Sequence, residues 1–339
     1  MAAFFRRIRP SAVDSRQPGG EGKGLGTRRS FLIRAGLVAG VLGGALWLRR
    51  NVVWPSPEAA FAAGGAPAWA DLVDDRAHVL IIAATVAGQP VRALVDSGAQ
   101  YSVVDRRLVQ RLGLGEGFDI PLLAYGVGGG AQVGRGVTVD VAAAGASFDG
   151  MRAAILDLGP LADESGLATP LILGQDVLGE SDLWLDLPER RLALAPPGSP
   201  PAWSDLVQTP VLREGRALAA EVTVEGAVTT ALIDTGSSSL LALSRASAGA
   251  LGLLDGRETR RGSSLVLGGS VRSELVRAQT VTFGDALFRD ATVAIYEDVA
   301  GRTLPEGLIG MPAFRGRRAV LRLGAGELWL SRAVDVDLG

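Results

Sequence analysis

Two short acidic motifs, Asp96-Ser97-Gly98 and Asp234-Thr235-Gly236, each close a matching apolar run, Ala93-Leu94-Val95 and Ala231-Leu232-Ile233. Three common residue types in a row mean little alone. The repetition around them carries the weight. At an offset of 138 (234 − 96), the stretch 78–98 overlays 216–236 without a gap, setting Leu80 on Leu218, Thr85-Val86 on Thr223-Val224 and Gly88 on Gly226. Arg111-Leu112-Gly113-Leu114 then matches Ala250-Leu251-Gly252-Leu253 after a one-residue slip. Leu171-Ile172-Leu173-Gly174 matches Gly307-Leu308-Ile309-Gly310, and Leu183-Trp184-Leu185-Asp186-Leu187 matches Ala319-Val320-Leu321-Arg322-Leu323. A duplication of about 137 residues is too long a period for a solenoid and suits two fused domains.

With 339 residues, 47% of them apolar, the chain can bury one or two cores, and 5% aromatic content points to cores of Val, Leu, Ile and Ala. Cysteine is absent, so thiol nucleophiles, disulfides and Cys-ligated zinc are excluded. One histidine, His78, leaves no Ser-His-Asp triad and no His-rich metal site, and it reads as an ordinary residue at the start of a strand. Carboxylates are the main remaining chemistry, and no metal or cofactor is called for. Up to Ala70, nine Arg and Lys23 outweigh Asp14, Glu21 and Glu58 by +7, so the rest carries −2 − 7 = −9. An acidic body is unsuited to gripping nucleic acid.

The order within each copy is strand, Gly turn, strand, acidic motif, short helix and further strands, which predicts an all-β fold. Runs such as Val137-Thr138-Val139-Asp140-Val141 and Glu221-Val222-Thr223-Val224 favour sheet. One short helix is predicted from Asp105 as N-cap to a stop at Gly113, and its counterpart from Ser244 to Gly252. Ala195-Pro196-Pro197-Gly198-Ser199-Pro200-Pro201 can continue neither ladder nor helix and is assigned as the linker. The expected segments are 1–70 (signal or signal-anchor plus linker), 71–197 (N-terminal half) and 198–339 (C-terminal half).

Ahead of the body, Thr27-Arg28-Arg29-Ser30-Phe31-Leu32 precedes an apolar, Gly-rich stretch that ends before Arg49-Arg50. This resembles a twin-arginine export signal, with the export machinery as a partner. The apolar segment 31–48 is short for a membrane span, which needs about 20 apolar residues. Two outcomes stay open: cleavage at Ala60-Phe61-Ala62 or Ala68-Trp69-Ala70 with release, or retention as an inner-membrane anchor. Both place the body in the periplasm.

Amide hydrolysis by carboxylates needs two of them facing one water and sharing one proton, because like charges about 3 Å apart cannot both ionise cheaply. One Asp per half meets that need. Gly98 and Gly236 let the backbone turn beneath the carboxylates, and the Ser97 and Thr235 hydroxyls can bridge the two loops. From about Ala77 to Ala333 the chain resembles the aspartic protease clan. Each half is similar to a retropepsin, which implies tandem pepsin/retropepsin-like β-barrels related by internal duplication with the active site between them.

The resemblance implies an aspartic endopeptidase acting on exported or membrane proteins as a monomeric unit, with Asp96 and Asp234 catalytic and Ser97 and Thr235 interlocking. It implies that Ile172, Leu173, Gly174 and Leu308, Ile309, Gly310 buttress the catalytic loops. A substrate-covering hairpin is implied at Tyr125, Gly126, Val127, Gly128 and Gly129, and a shorter one at Gly268 and Gly269. Ser237 differs from its counterpart Ala99 and is expected to donate its hydroxyl towards Asp234. Trp184 and Trp329 are expected in core or inter-domain packing. The alternative is a catalytically silent peptide-binding or scaffold protein on the same fold; its signature, loss of one Asp, is absent. Replacing Arg28 and Arg29 by Lys is expected to leave the protein unexported, because the pathway reads that pair rather than charge alone. Unchanged periplasmic recovery in cell fractionation would refute the signal.

Overall fold

Each half opens with a hairpin whose turn is dictated by backbone sterics. In the first, β1 (Ile81–Val86) and β2 (Gln89–Val95) are joined by Ala87 and Gly88 at φ 49° and 75°. The second half repeats this with Glu225 and Gly226 at 49° and 87°. Two successive positive φ values make the twist of a two-residue turn match that of the strands, and glycine adopts the second at no steric cost. The computed structural model describes residues 55–62, 67–73, 78–115, 117–125, 131–201, 203–266, 269–297 and 305–333.

The N-terminal half continues with β3 (Val103–Asp105), α1 (Arg106–Arg111), β4 (Ala131–Ala143), β5 (Ala146–Leu156), β6 (Leu171–Leu173) and α2 (Gln175–Leu178). The strands pair in the order β5–β3–β6–β2–β1–β4, and β4 pairs back onto β5, closing a six-stranded barrel. As predicted, Asp105 caps α1, accepting from Arg107 N–H, and Gly113 follows its end at φ 62°. His78 is exposed ahead of β1.

The chain then forms β7 (Asp182–Asp186) and β8 (Arg191–Ala195), turns at Pro197-Gly198 and enters the second half. There β9 (Ala217–Val224), β10 (Ala227–Asp234), β11 (Leu241–Ser244), α3 (Arg245–Ala250), β12 (Gly269–Phe283), β13 (Ala286–Tyr296) and β14 (Gly307–Gly310) repeat the pattern. A second six-stranded barrel closes in the order β9–β10–β14–β11–β13–β12, with β12 returning to β9. Ser244 caps α3, and Gly252 follows at φ 74°.

The last strands, β15 (Arg318–Arg322) and β16 (Glu327–Leu330), do not join this barrel. They pair with β7 and β8 in a six-stranded sheet shared by the halves, in the order 207–209, β16, β15, β7, β8, 70–71. Strand alternation explains why both faces are buried. Leu183, Leu185, Ala319 and Leu321 point into an apolar cluster continuous with both barrel interiors. Trp184 and Val320 point the other way, into a cluster with Trp69, Trp203 and Trp329. The Trp69, Trp184 and Trp203 rings lie 5.6–6.4 Å apart, within the range of favourable tilted aromatic contacts. Trp184 and Trp329 thus occupy the packing roles expected of them.

Sequence pattern alone assigned residues up to 70 to signal and linker. Within them, strand 58–61 pairs with β5 through Glu58↔Asp149 and Phe61↔Ala146, and strand 70–71, astride the expected boundary, pairs with β8. Ladder hydrogen bonds from barrel and sheet edges hold these short runs, and such partners leave no local signal. Residues 31–48 lie outside the described residues. Among the described ones, no helix is long and apolar enough to cross a membrane.

Candidate active site

Parallel pairing positions both acidic motifs. β2 runs beside β6 and β10 beside β14, so each motif emerges against its apolar-apolar-Gly segment, with Asp96 N–H donating to Leu173 O at 2.9 Å and Asp234 in register with Gly310. The barrels then bring the two motifs together. Ser97 Oγ donates to Ile233 O (2.7 Å) and accepts from Thr235 N–H (3.0 Å), while Thr235 Oγ1 donates to Val95 O (2.8 Å) and accepts from Ser97 N–H (2.9 Å). Each hydroxyl thereby satisfies a backbone donor and acceptor of the other half, in a buried place where an unpaired group would cost about 1–3 kcal/mol.

This interlock sets the carboxylates side by side. Gly98 N–H (2.8 Å) and Ala99 N–H (3.1 Å) donate to Asp96 Oδ1, and Gly236 N–H (2.9 Å) donates to Asp234 Oδ1. The two Oδ2 atoms receive nothing from protein donors; the carboxyls lie within reach of each other, and two acceptors can bond only when one carries a proton. The glycines are required by the approach of the halves. A Cβ on Gly98 would lie 2.8 Å from Asp234 Cγ, and one on Gly236 2.6 Å from Asp96 Cγ.

Both carboxyls are fully buried, and burial disfavours the charged form. Burial pushes Asp96 up to about 6 against the bonds it accepts. Asp234 is held well above the ordinary carboxylate range, by burial first and by the Asp96 charge second. The pair therefore retains a proton through mildly acidic pH, the state that amide hydrolysis by two carboxylates requires.

The buttress segments pass directly beneath. A Cβ on Gly174 would come within 2.8 Å of Ala99 O, and one on Gly310 within 2.5 Å of Ser237 O. Ile172, Leu173, Leu308 and Ile309 are fully buried. Ser237 does not act as expected. Its Oγ accepts from Ser239 N–H at 3.3 Å and sits against Gly310, whereas its backbone N–H supports the Asp234 carboxyl. Ala99 supports Asp96 through the same backbone group, so the difference in side chain does not produce a difference in support.

At the positions where covering hairpins are expected, strand 118–125 pairs with β4 through Tyr125↔Ala131, and strand 259–266 pairs with β12 through Val266↔Gly269. Gly126, Val127, Gly128, Gly129 and Gly268 lie outside the described residues.

Sequence reading missed a polar clamp present in the first half alone. Gln175 Nε2 donates to Ser97 O (2.8 Å), and Asp176 Oδ1 accepts from Ser102 N–H (2.9 Å) and Ser102 Oγ (2.8 Å). Ser102 Oγ in turn accepts from Gly174 N–H (3.1 Å). Burial raises the Asp176 carboxyl to about 6. The second half carries Met311 and Pro312 at these positions, a contrast visible only when the copies are compared residue by residue.

Thr235→Val preserves side-chain shape but orphans Val95 O and Ser97 N–H. It is expected to cost about 3 kcal/mol in urea denaturation with catalysis impaired; a loss near zero would show that the interlock contributes nothing. The raised carboxyls also fix a sign for pH. Between the ordinary value of 3.8 and about 6 the folded state binds more protons than the unfolded one, so stability falls as pH rises through that window. Asp96→Asn removes its share, so its Tm is expected to fall less than the parent's between pH 4 and pH 7; parallel curves would contradict the assignment.

None of the curated proteins compared matches the chain. Among solved structures, the crystal structure of a retropepsin-like aspartic protease from Rickettsia conorii is similar at 21% identity, spanning 39% of this chain and 97% of that one with a TM-score of 0.29. The aspartyl protease family model matches twice, over residues 82–177 and 220–313, once in each half and each time across an acidic motif and its buttress. With more than half of its length matched in two tandem copies, the chain belongs to the aspartyl protease family.

Proposed function

We propose that the protein is an aspartic endopeptidase whose water is activated by the Asp96/Asp234 pair. The observation that carries this reading is the exchange of hydroxyl bonds between Ser97 and Thr235, which sets two buried carboxyls against each other with both Oδ1 atoms bound to backbone N–H groups. Only the Oδ2 atoms are left for chemistry. The ionised carboxylate takes a proton from water as the oxygen attacks the amide carbon, and the protonated partner gives its proton to the carbonyl oxygen. Collapse of the tetrahedral intermediate breaks the C–N bond while one carboxyl proton passes to the leaving nitrogen and a hydroxyl of the diol gives its proton back to the other carboxylate. Each cycle thus consumes one water, returns the pair to its single shared proton, and needs no further group.

On this reading an extended peptide lies between the barrels, covered by the hairpin that includes Tyr125 and by its counterpart. The signal-like segment supports substrates among exported or membrane proteins, met in the periplasm. Asp96→Asn and Asp234→Asn are each expected to lower kcat/KM by about a thousandfold or more while the fold persists, since groups acting as one unit fail together. Mass spectrometry of a peptide library incubated with each variant checks this. Turnover retained in either one, with contaminating protease excluded, overturns the mechanism.

A further inference from the structure

The central strand pair carries a charge pattern that the catalytic reading does not use. β7 reads Asp-Leu-Trp-Leu-Asp and β15 reads Arg-Ala-Val-Leu-Arg, equivalent segments in the duplication, one acidic at both ends and the other basic at both ends. They pair antiparallel with Leu183 opposite Leu321, Trp184 opposite Val320 and Leu185 opposite Ala319. This register brings each Asp to an Arg of the other half. Arg322 Nε meets Asp182 Oδ2 at 3.0 Å, and Arg318 Nε meets Asp186 Oδ1 at 3.4 Å. Both carboxylates are nearly fully buried, with side-chain exposures of 4% and 1%.

Contacts within each half offset Arg322, whose Nη1 meets Glu327 Oε2 at 3.1 Å, and in part Asp186, which Arg191 meets; among the described residues the ion pairs of Asp182 and Arg318 are those across the strand pair. Arg191 binds only Oδ2 of Asp186, and Oδ1 has no hydrogen-bond partner, nor has Arg318 Nε opposite it. Arg322 also donates to Ser199 O at 2.6 Å, so this bridge ties the linker down as well. Like pairing gives the reverse picture. Two β7 strands docked in the same geometry would set Asp182 against Asp186 at both ends and Trp184 against Trp184. Two β15 strands would set Arg318 against Arg322 at both ends and Val320 against Val320, too little volume for the space between two indole-sized neighbours. Like charges forced together at a buried interface cost several kcal/mol, whereas the observed arrangement offsets each charge.

We propose that this acidic-against-basic strand pair restricts each half to the opposite half as its partner, so that like halves of two chains are rejected and the site assembles within one chain. Rejection operates through mismatch as much as attraction, which is how specificity between related surfaces is achieved. This pairing rule holds whether or not the carboxyl pair turns over substrate.

Because the chain has no cysteine, the rule can be read covalently. Like pairing of β15 would place residue 320 opposite itself, so full-length Val320→Cys reports it as an interchain disulfide under mild oxidation. Val320→Cys alone is expected to stay unlinked. Adding Arg318→Asp makes like pairing of β15 charge-compatible and unlike pairing repulsive, and is expected to raise the linked fraction about tenfold or more. Adding Asp186→Arg as well restores an opposite-charge pair within the chain while like pairing stays charge-compatible, so the tethered opposite half competes again and linkage is expected to fall several-fold, with Tm returning towards the parent value. Linkage by Val320→Cys alone at the level of the Arg318→Asp variant, or linkage that Asp186→Arg does not lower, would overturn the proposal. If Arg318→Asp does not fold, Arg318→Gln takes its place with an intermediate linked fraction expected; a fraction equal to that of Val320→Cys alone overturns the proposal equally.

Discussion

The reciprocal exchange between Ser97 and Thr235 is the contact on which the site depends. Four buried hydrogen bonds cross between the halves, and each hydroxyl completes the backbone pairing of the opposite strand end rather than its own. An isolated half would leave Val95 O or Ile233 O and the neighbouring N–H groups without these partners. Joining the halves is therefore a condition for satisfying the backbone around the carboxyls, and the approach of Asp96 to Asp234 follows from it. The cost of burying two acids side by side is borne by this interlock, by the N–H groups beneath each Oδ1 and by the continuous apolar core.

Two copies of one plan have diverged where they touch. The first half braces its acidic loop with polar groups, through Gln175, Asp176 and Ser102, whereas the second packs Met311 and Pro312 in the same place. In the shared sheet the first half supplies both acids and the second both bases. A symmetric pair of halves would carry the same brace in both and could not confine the acids to one half and the bases to the other. Fusion into one chain removed that restriction. The result is a near-symmetric carboxyl pair held by asymmetric supports.

The acidity of the pair and the stability of the fold are linked through burial. Solvent exclusion raises both carboxyls and keeps one proton at hand, and it makes ionisation of the second a load on the folded state. The backbone N–H groups of Ala99 and Ser237 moderate this load alike in the two halves. The side chain at that position matters less than its place in the turn, since the Ser237 hydroxyl is engaged by Ser239.

Much of this was legible in sequence because it is local or repeated. The hairpin turns at Gly88 and Gly226, the caps Asp105 and Ser244, and the pairing of acidic motif with its apolar-apolar-Gly segment all rest on short-range sterics or on the match between copies. What tertiary structure alone decided lies where distant segments meet. The strand at 58–61 exists because an open barrel edge receives it, the Ser237 hydroxyl turns to a backbone group two residues on, and Gln175 finds Ser97 O only once the loops are packed. The acids of β7 and the bases of β15 were visible as letters, but their pairing was not. Which charge faces which depends on the register of two strands more than 130 residues apart, and that register is set by the docking of two barrels rather than by any local preference.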